Sequence, residues 1–101
     1  MNKVNIFNTV LRIVAEETEI SPGRILSGRK DSETVDARYL LVYFLHHIGF
    51  TPSYIAEKIG KTERTVTYIQ TNFDQRFSTQ KMFRIQCENI RKRIRNIPFP
   101  S

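Results

Sequence analysis

Residues 52–71, PSYIAEKIGKTERTVTYIQT, decide the fold, because their apolar, small and turn positions fall where two helices meeting at a steep angle need them. Four apolar side chains occupy the inward positions of the two predicted helices: Ile55, Ile59, Val66 and Ile69. Ala56 lets the second helix approach closely, and Gly60 can take the left-handed backbone angles that end the first helix. The spacing predicts a helix-turn-helix whose second helix runs from Thr62 to near Phe77.

Helical patterns on both sides of this unit predict an all-α domain of five to six helices that spans residues 1–101. The other predicted helices are residues 5–18, a short helix with Ser21 as N-cap that is closed by Gly28, residues 33–48 ended by Gly49, and a last helix after Ser78. Residues 33–48 are apolar around most of their circumference, which predicts the central helix of the bundle. The tail, residues 97–101, contains two prolines and is expected to be loose.

The distribution of charge favours a polyanionic partner. The chain has 16 Lys and Arg against 10 Asp and Glu, a formal net charge of +6. Bases and acids balance in residues 1–50, so all of the excess lies in the half that contains the helix-turn-helix. This is expected of a surface that replaces counterions on a phosphate backbone. A solvated basic face that keeps a small protein soluble is the alternative.

Several other kinds of site are disfavoured. Cys87 is the single cysteine and is interpreted as a small core residue. Because one cysteine cannot form an internal disulfide and the chain starts without a secretory signal pattern, a reducing cytoplasm is expected. No segment is apolar for the roughly 18 residues that a membrane helix requires.

Adjacent His46 and His47 point to different sides of a helix, which predicts one packed and one solvated ring and no metal site. We expect no cofactor, no small-molecule substrate and no enzymatic activity, because no catalytic set occurs at useful spacing.

The exposed face of the second helix carries the candidate base contacts, because a helix-turn-helix places the N-terminal turns of that helix in the major groove. These residues are Thr62, Glu63, Arg64, Thr67 and Tyr68. Arg64 can pair with guanine, and Glu63 can accept from cytosine. An ordinary solvent-facing helix surface is the alternative.

The candidate phosphate contacts lie nearby. Thr51 stands before Pro52 at the start of the first helix of the motif, where free backbone N–H groups attract anions. Lys61 lies in the turn, and Arg29 with Lys30 forms a basic loop suited to a phosphate or a narrow minor groove. A surface loop without any contact is the alternative for Arg29 and Lys30.

Two segments resemble the C-terminal DNA-binding domain, domain IV, of the bacterial replication initiator DnaA. They are VDARYLLVYFL at residues 35–45 and GKTERTV at residues 60–66. The resemblance implies a Trp-repressor-like helical fold that binds double-stranded DNA, with Arg29 and Lys30 at the minor groove. It also implies that Arg38 and Thr51 lie near phosphates, and it adds Thr65 to the DNA contacts.

The departures from that family are specific. Only Gly60, Thr65 and Val66 of the signature are retained, so a base preference different from that of the initiator is expected. The sequence has no ATP-binding domain, and its initial methionine favours a free-standing module. A protein-interaction module that uses the same exposed helix is the alternative function. The sequence does not predict the oligomeric state or the choice between replication and transcription.

Overall fold

The computed structural model describes residues 2–98 and shows six helices. They are α1 (Lys3–Thr18), α2 (Pro22–Ile25), α3 (Ser32–Ile48), α4 (Pro52–Ile59), α5 (Glu63–Thr79) and α6 (Lys81–Arg95). No strand occurs within the described part of the chain. The prediction of an all-α fold of five to six helices is confirmed.

Helix α3 is the centre of the bundle. It packs against each of the other five helices. Its side chains Leu40, Leu41, Val42 and Leu45 are fully buried. A helix that is apolar around most of its circumference can be buried on several sides at once, and this confirms its predicted central position.

Side-chain oxygens cap the starts of five helices. In four of them the oxygen accepts a hydrogen bond of 3.1–3.2 Å from the backbone N–H three residues later. The capping residues are Ser21, Asp31, Thr51 and Thr62. Asn2 caps α1 in the same way, so that helix begins at Lys3 instead of the predicted residue 5. Each cap contributes about 1 kcal/mol to helix stability.

Glycines end the two helices that matter most for the site. Gly49 after α3 and Gly60 after α4 have φ values of 117° and 71°, in the left-handed region that non-glycine residues avoid. Both glycines end their helices as predicted. The prediction that α2 closes at Gly28 is wrong, because α2 ends at Ile25 and the Ser27 hydroxyl donates to the Arg24 carbonyl.

The helix-turn-helix packs as its spacing predicts. Ile55, Ala56 and Ile59 of α4 and Val66 and Ile69 of α5 are all buried. These side chains fix the turn between α4 and α5, and they leave the opposite side of α5 outside the core.

An ion pair between Arg76 and Asp36 joins the C-terminal half of α5 to α3. The Arg76 guanidinium also lies 4.1 Å from the centre of the Tyr39 ring. Burial raises the pKa of Asp36, and the hydrogen bond from Arg76 offsets part of that rise. The pair thus links α5 to α3 beside the Tyr39 ring.

Two predictions about particular residues need correction. His46 and His47 are both exposed, so neither ring lies in the core, although the His47 ring packs against that of Tyr43 with ring centres 4.1 Å apart. Ile97 is half-buried against the core, and its N–H donates to the Ile94 carbonyl, so the predicted loose tail does not begin there. Residues 99–101 of the predicted tail lie outside the described residues. Within residues 2–98, no helix is both long and apolar enough to cross a membrane.

Candidate nucleic-acid interface

The turn of the helix-turn-helix is built by three consecutive residues, Gly60, Lys61 and Thr62. The Lys61 N–H donates to the Ala56 carbonyl at 3.0 Å, which closes α4. Thr62 then caps α5, and its Oγ1 lies 3.1 Å from Oγ1 of Thr65. The hydroxyls of these two threonines are thus joined at the exposed start of α5.

The predicted base-contact residues lie at the exposed beginning of α5. The structure places all five in solvent: Thr62, Glu63, Arg64, Thr67 and Tyr68. Tyr68 is 62% exposed, whereas Val66 is fully buried. Because residues three and four apart share a helix face, Arg64, Thr67 and Tyr68 form one polar surface over two turns.

Arg38 lies inside the structure and not at the surface. It is 7% exposed, and its guanidinium donates to three backbone carbonyls between α2 and α3. The acceptors are the carbonyls of Ile25 at 2.9 Å, Ser27 at 2.8 Å and Arg29 at 3.2 Å. Residues 26–31 are called the basic loop from here on. Arg38 holds this loop in place from the buried side.

Asp31 organises the same loop from its other end. Its carboxylate accepts from Arg24 at 2.9 Å, from Arg29 at 3.0 Å and from the Thr34 hydroxyl at 2.8 Å. These hydrogen bonds, with that from Thr34 the largest, hold the pKa of Asp31 well below its usual range. In the sequence, the signal for this network is an acid directly after two bases, Arg29-Lys30-Asp31.

Lys61 connects the helix-turn-helix to the basic loop. Its Nζ donates to the Ser27 carbonyl at 3.0 Å, and Arg38 donates to the same oxygen. Burial and the neighbouring charges of Arg38 and Lys30 lower the pKa of Lys61. Neither Lys30 nor Lys61 forms an ion pair within residues 2–98. Lys30 and Lys61 are thus neighbouring cations that pair with no carboxylate in this part of the chain, an arrangement that an anion stabilises.

Thr51 lies at the other end of α4, about 12 Å along the helix from the turn. Thr51 is exposed, and its hydroxyl accepts from the Tyr54 N–H at 3.1 Å. Two lysines lie over the Tyr54 ring, Lys3 at 5.4 Å and Lys58 at 6.0 Å from its centre. Sequence reasoning missed both, although the spacing of Tyr54 and Lys58 by one helical turn was a signal. The beginning of α4 is thus a second positively charged region.

The structure brings together the predicted residues of the turn, the start of α5 and the basic loop, with Arg38 beneath them. It keeps Thr51 apart from this group. Among the described residues, no group of three His, Cys, Asp or Glu side chains could hold a metal ion. A scan against models of known protein families found no match to the sequence, and a search of curated proteins found no significant match.

Proposed function

We propose that this chain is a non-catalytic domain that binds double-stranded DNA in a sequence-specific manner through its helix-turn-helix. One observation carries the proposal. The exposed polar face at the start of α5 adjoins a turn whose Lys61 is hydrogen-bonded to the basic loop, so base-reading and phosphate-binding groups are held at a set spacing. We place this activity in the cytoplasm, in the control of replication or transcription.

In this proposal the first two turns of α5 enter the major groove. Arg64 donates its paired N–H groups to a guanine, and Glu63 accepts from a cytosine amine. Thr67 and Tyr68 lie one turn further along the same face and contact neighbouring bases. Thr62 shapes the start of the helix, because its oxygen is already used as the cap.

The cations around the turn bind the DNA backbone. Lys61 contacts a phosphate beside the major groove, and Arg29 and Lys30 reach the next phosphate or the adjacent minor groove. Arg38 positions these groups through the basic loop and does not contact DNA through a free side chain. Thr51 and Thr65 remain proposed phosphate contacts at the starts of α4 and α5.

The resemblance to the replication initiator supports the same mode of binding with a different target. Thr62, Glu63 and Arg64 replace the residues that carry the base preference in that family. We therefore expect the preferred duplex to differ from the initiator's own site.

Selection of bound sequences from a random duplex pool tests the proposal. We expect one enriched motif, and we expect Arg64→Ala to lose preference at one base pair at a cost of about 1–3 kcal/mol. Arg12→Ala is the matched control, because Arg12 is exposed on α1, which does not contact α5 in the described structure. An unenriched pool, or an equal effect of Arg12→Ala, contradicts sequence-specific binding.

A second candidate function is a protein-interaction module that uses the same face of α5, favoured by the 62% exposure of Tyr68. Salt separates the two functions. DNA affinity falls steeply with ionic strength, whereas affinity for a partner held mainly by apolar contact does not.

A further inference from the structure

A groove outside the helix-turn-helix lies between the last turns of α3 and α6. Each helix presents three residues spaced so that they share one face. These residues line a depression of about 310 Å³: Phe44, His47, Ile48, Arg91, Ile94 and Arg95. The groove therefore combines an apolar floor with cationic edges.

The floor is only partly covered by the bundle. Phe44 is buried, but Ile48 and Ile94 are half-buried although they pack against the core. Gly49 turns the chain away from α3 at this point, and α4 makes no contact with α6 within residues 2–98. No helix of the described structure therefore closes this end of the core.

A separate depression of about 180 Å³ shares His47 with the groove. Tyr43 and Phe73 line this second depression, with ring centres 3.9 Å apart in a stacked arrangement, together with Ile69 and Asp74 of α5. The groove itself lies between two helices, and a peptide segment with one apolar face is a ligand that such a groove accepts.

The charge at the α6 end identifies the partner chemistry. Arg91 is held in place, since Nη2 donates to the Tyr43 hydroxyl at 3.3 Å and the guanidinium lies 5.9 Å from the centre of the Phe44 ring. Arg95 is exposed and forms no ion pair within residues 2–98. Glu88 is the acid that contacts Arg91, at 3.6 Å, so cations exceed carboxylates at this edge.

We propose that this groove docks an acidic, amphipathic segment of a partner protein. Apolar side chains of the segment cover Ile48 and Ile94, and its carboxylates pair with Arg91 and Arg95. A DNA backbone supplies the negative charge but no apolar group for the floor. A bilayer surface is flat, whereas this site is concave. The inference does not rest on the proposed DNA binding, because it uses none of the base-contact residues.

The test uses a labelled 12-residue probe peptide in which apolar residues (Leu or Phe) alternate with acids (Glu or Asp). In a second peptide Lys replaces the acids. We expect the acidic peptide to bind and to shift the NMR signals of Ile48 and Ile94, and the Lys peptide not to bind. Arg95→Glu is expected to weaken binding by about tenfold, because it places like charges together. Lys81→Glu, the same charge reversal at the exposed start of α6, is expected to leave binding unchanged.

Five outcomes overturn the proposal. Two concern the peptide: binding of the acidic peptide without shifts at the groove, and equal loss of binding in both variants. The other three are anionic phospholipid vesicles that bind the chain in an Arg95-dependent way, a dimer of the chain that Arg95→Glu dissociates, and loss of duplex binding in Arg95→Glu, which would make the groove part of a nucleic-acid surface. If selection from the random duplex pool enriches no motif while the acidic peptide still binds the groove, only the proposed function is contradicted.

Discussion

Replacing Lys61 by Met separates a phosphate contact from a purely structural lysine. Lys61 is half-buried, and its Nζ donates to the Ser27 carbonyl at 3.0 Å. A hydrogen bond from a charged group contributes about 1.5–3 kcal/mol. The burial of that charge, and its repulsion from Arg38 and Lys30, lowers the pKa of Lys61 and opposes the gain. We therefore expect Lys61→Met to change the free energy of unfolding by less than about 1 kcal/mol.

The effect on DNA binding is much larger and depends on salt. Three cations are proposed to contact phosphates, namely Arg29, Lys30 and Lys61. If each neutralises one phosphate, log K falls with log salt at a slope of about −2.7, and without Lys61 at about −1.8. Affinity then falls about 40-fold between roughly 50 and 200 mM salt for the wild type, and about 12-fold for the variant.

Fluorescence anisotropy with a labelled duplex, measured over a salt series, gives both slopes, and thermal denaturation gives the stability. Lys81→Met is the control, because Lys81 is exposed at the start of α6, which contacts neither α2 nor α4 in the described structure. An unchanged slope in Lys61→Met refutes the phosphate contact. An equal decrease in Lys81→Met shows that binding follows net charge and not this interface.

Three further variants test the structure around the turn. Gly60→Ala is expected to destabilise by about 1–2 kcal/mol in chemical denaturation, because φ is 71° while the added Cβ meets no atom within 4 Å. Gly23→Ala, inside α2, is the control, and an equal destabilisation there would contradict the role of the positive φ. Arg38→Met is expected to lower the stability to urea by at least about 1–3 kcal/mol, because it leaves loop carbonyls unpaired; weaker DNA binding at full stability would instead make Arg38 a direct contact. Asp31→Asn keeps the cap but loses the ion pairs. Because the pKa of Asp31 is lowered by folding, the carboxylate stabilises the fold above its unfolded pKa of about 3.9 and loses that contribution as pH falls towards the folded pKa. The gap in melting temperature between wild type and Asp31→Asn should therefore be full at pH 7 and shrink at pH 3, and a gap independent of pH contradicts this.

The local elements of the fold follow from the sequence. The spacing of Ile55, Ile59, Val66 and Ile69 is enough to locate the helix-turn-helix, and Gly49 and Gly60 locate two helix ends. These features depend on residues a few positions apart, which sequence patterns report directly. The exposed face of α5 follows from the same periodicity, since the residues between the buried positions must point outward.

What the tertiary structure decided is the role of the charged groups. The family resemblance implies that Arg38 lies near phosphates, yet its side chain is buried beneath the basic loop. The Lys61 side chain donates to a loop carbonyl 34 positions away. The groove between α3 and α6 likewise depends on two helix ends that are distant in sequence. Periodicity gives the side of a helix on which a residue lies, whereas the partner of a long charged side chain depends on which distant carbonyls and carboxylates folding brings within hydrogen-bonding distance.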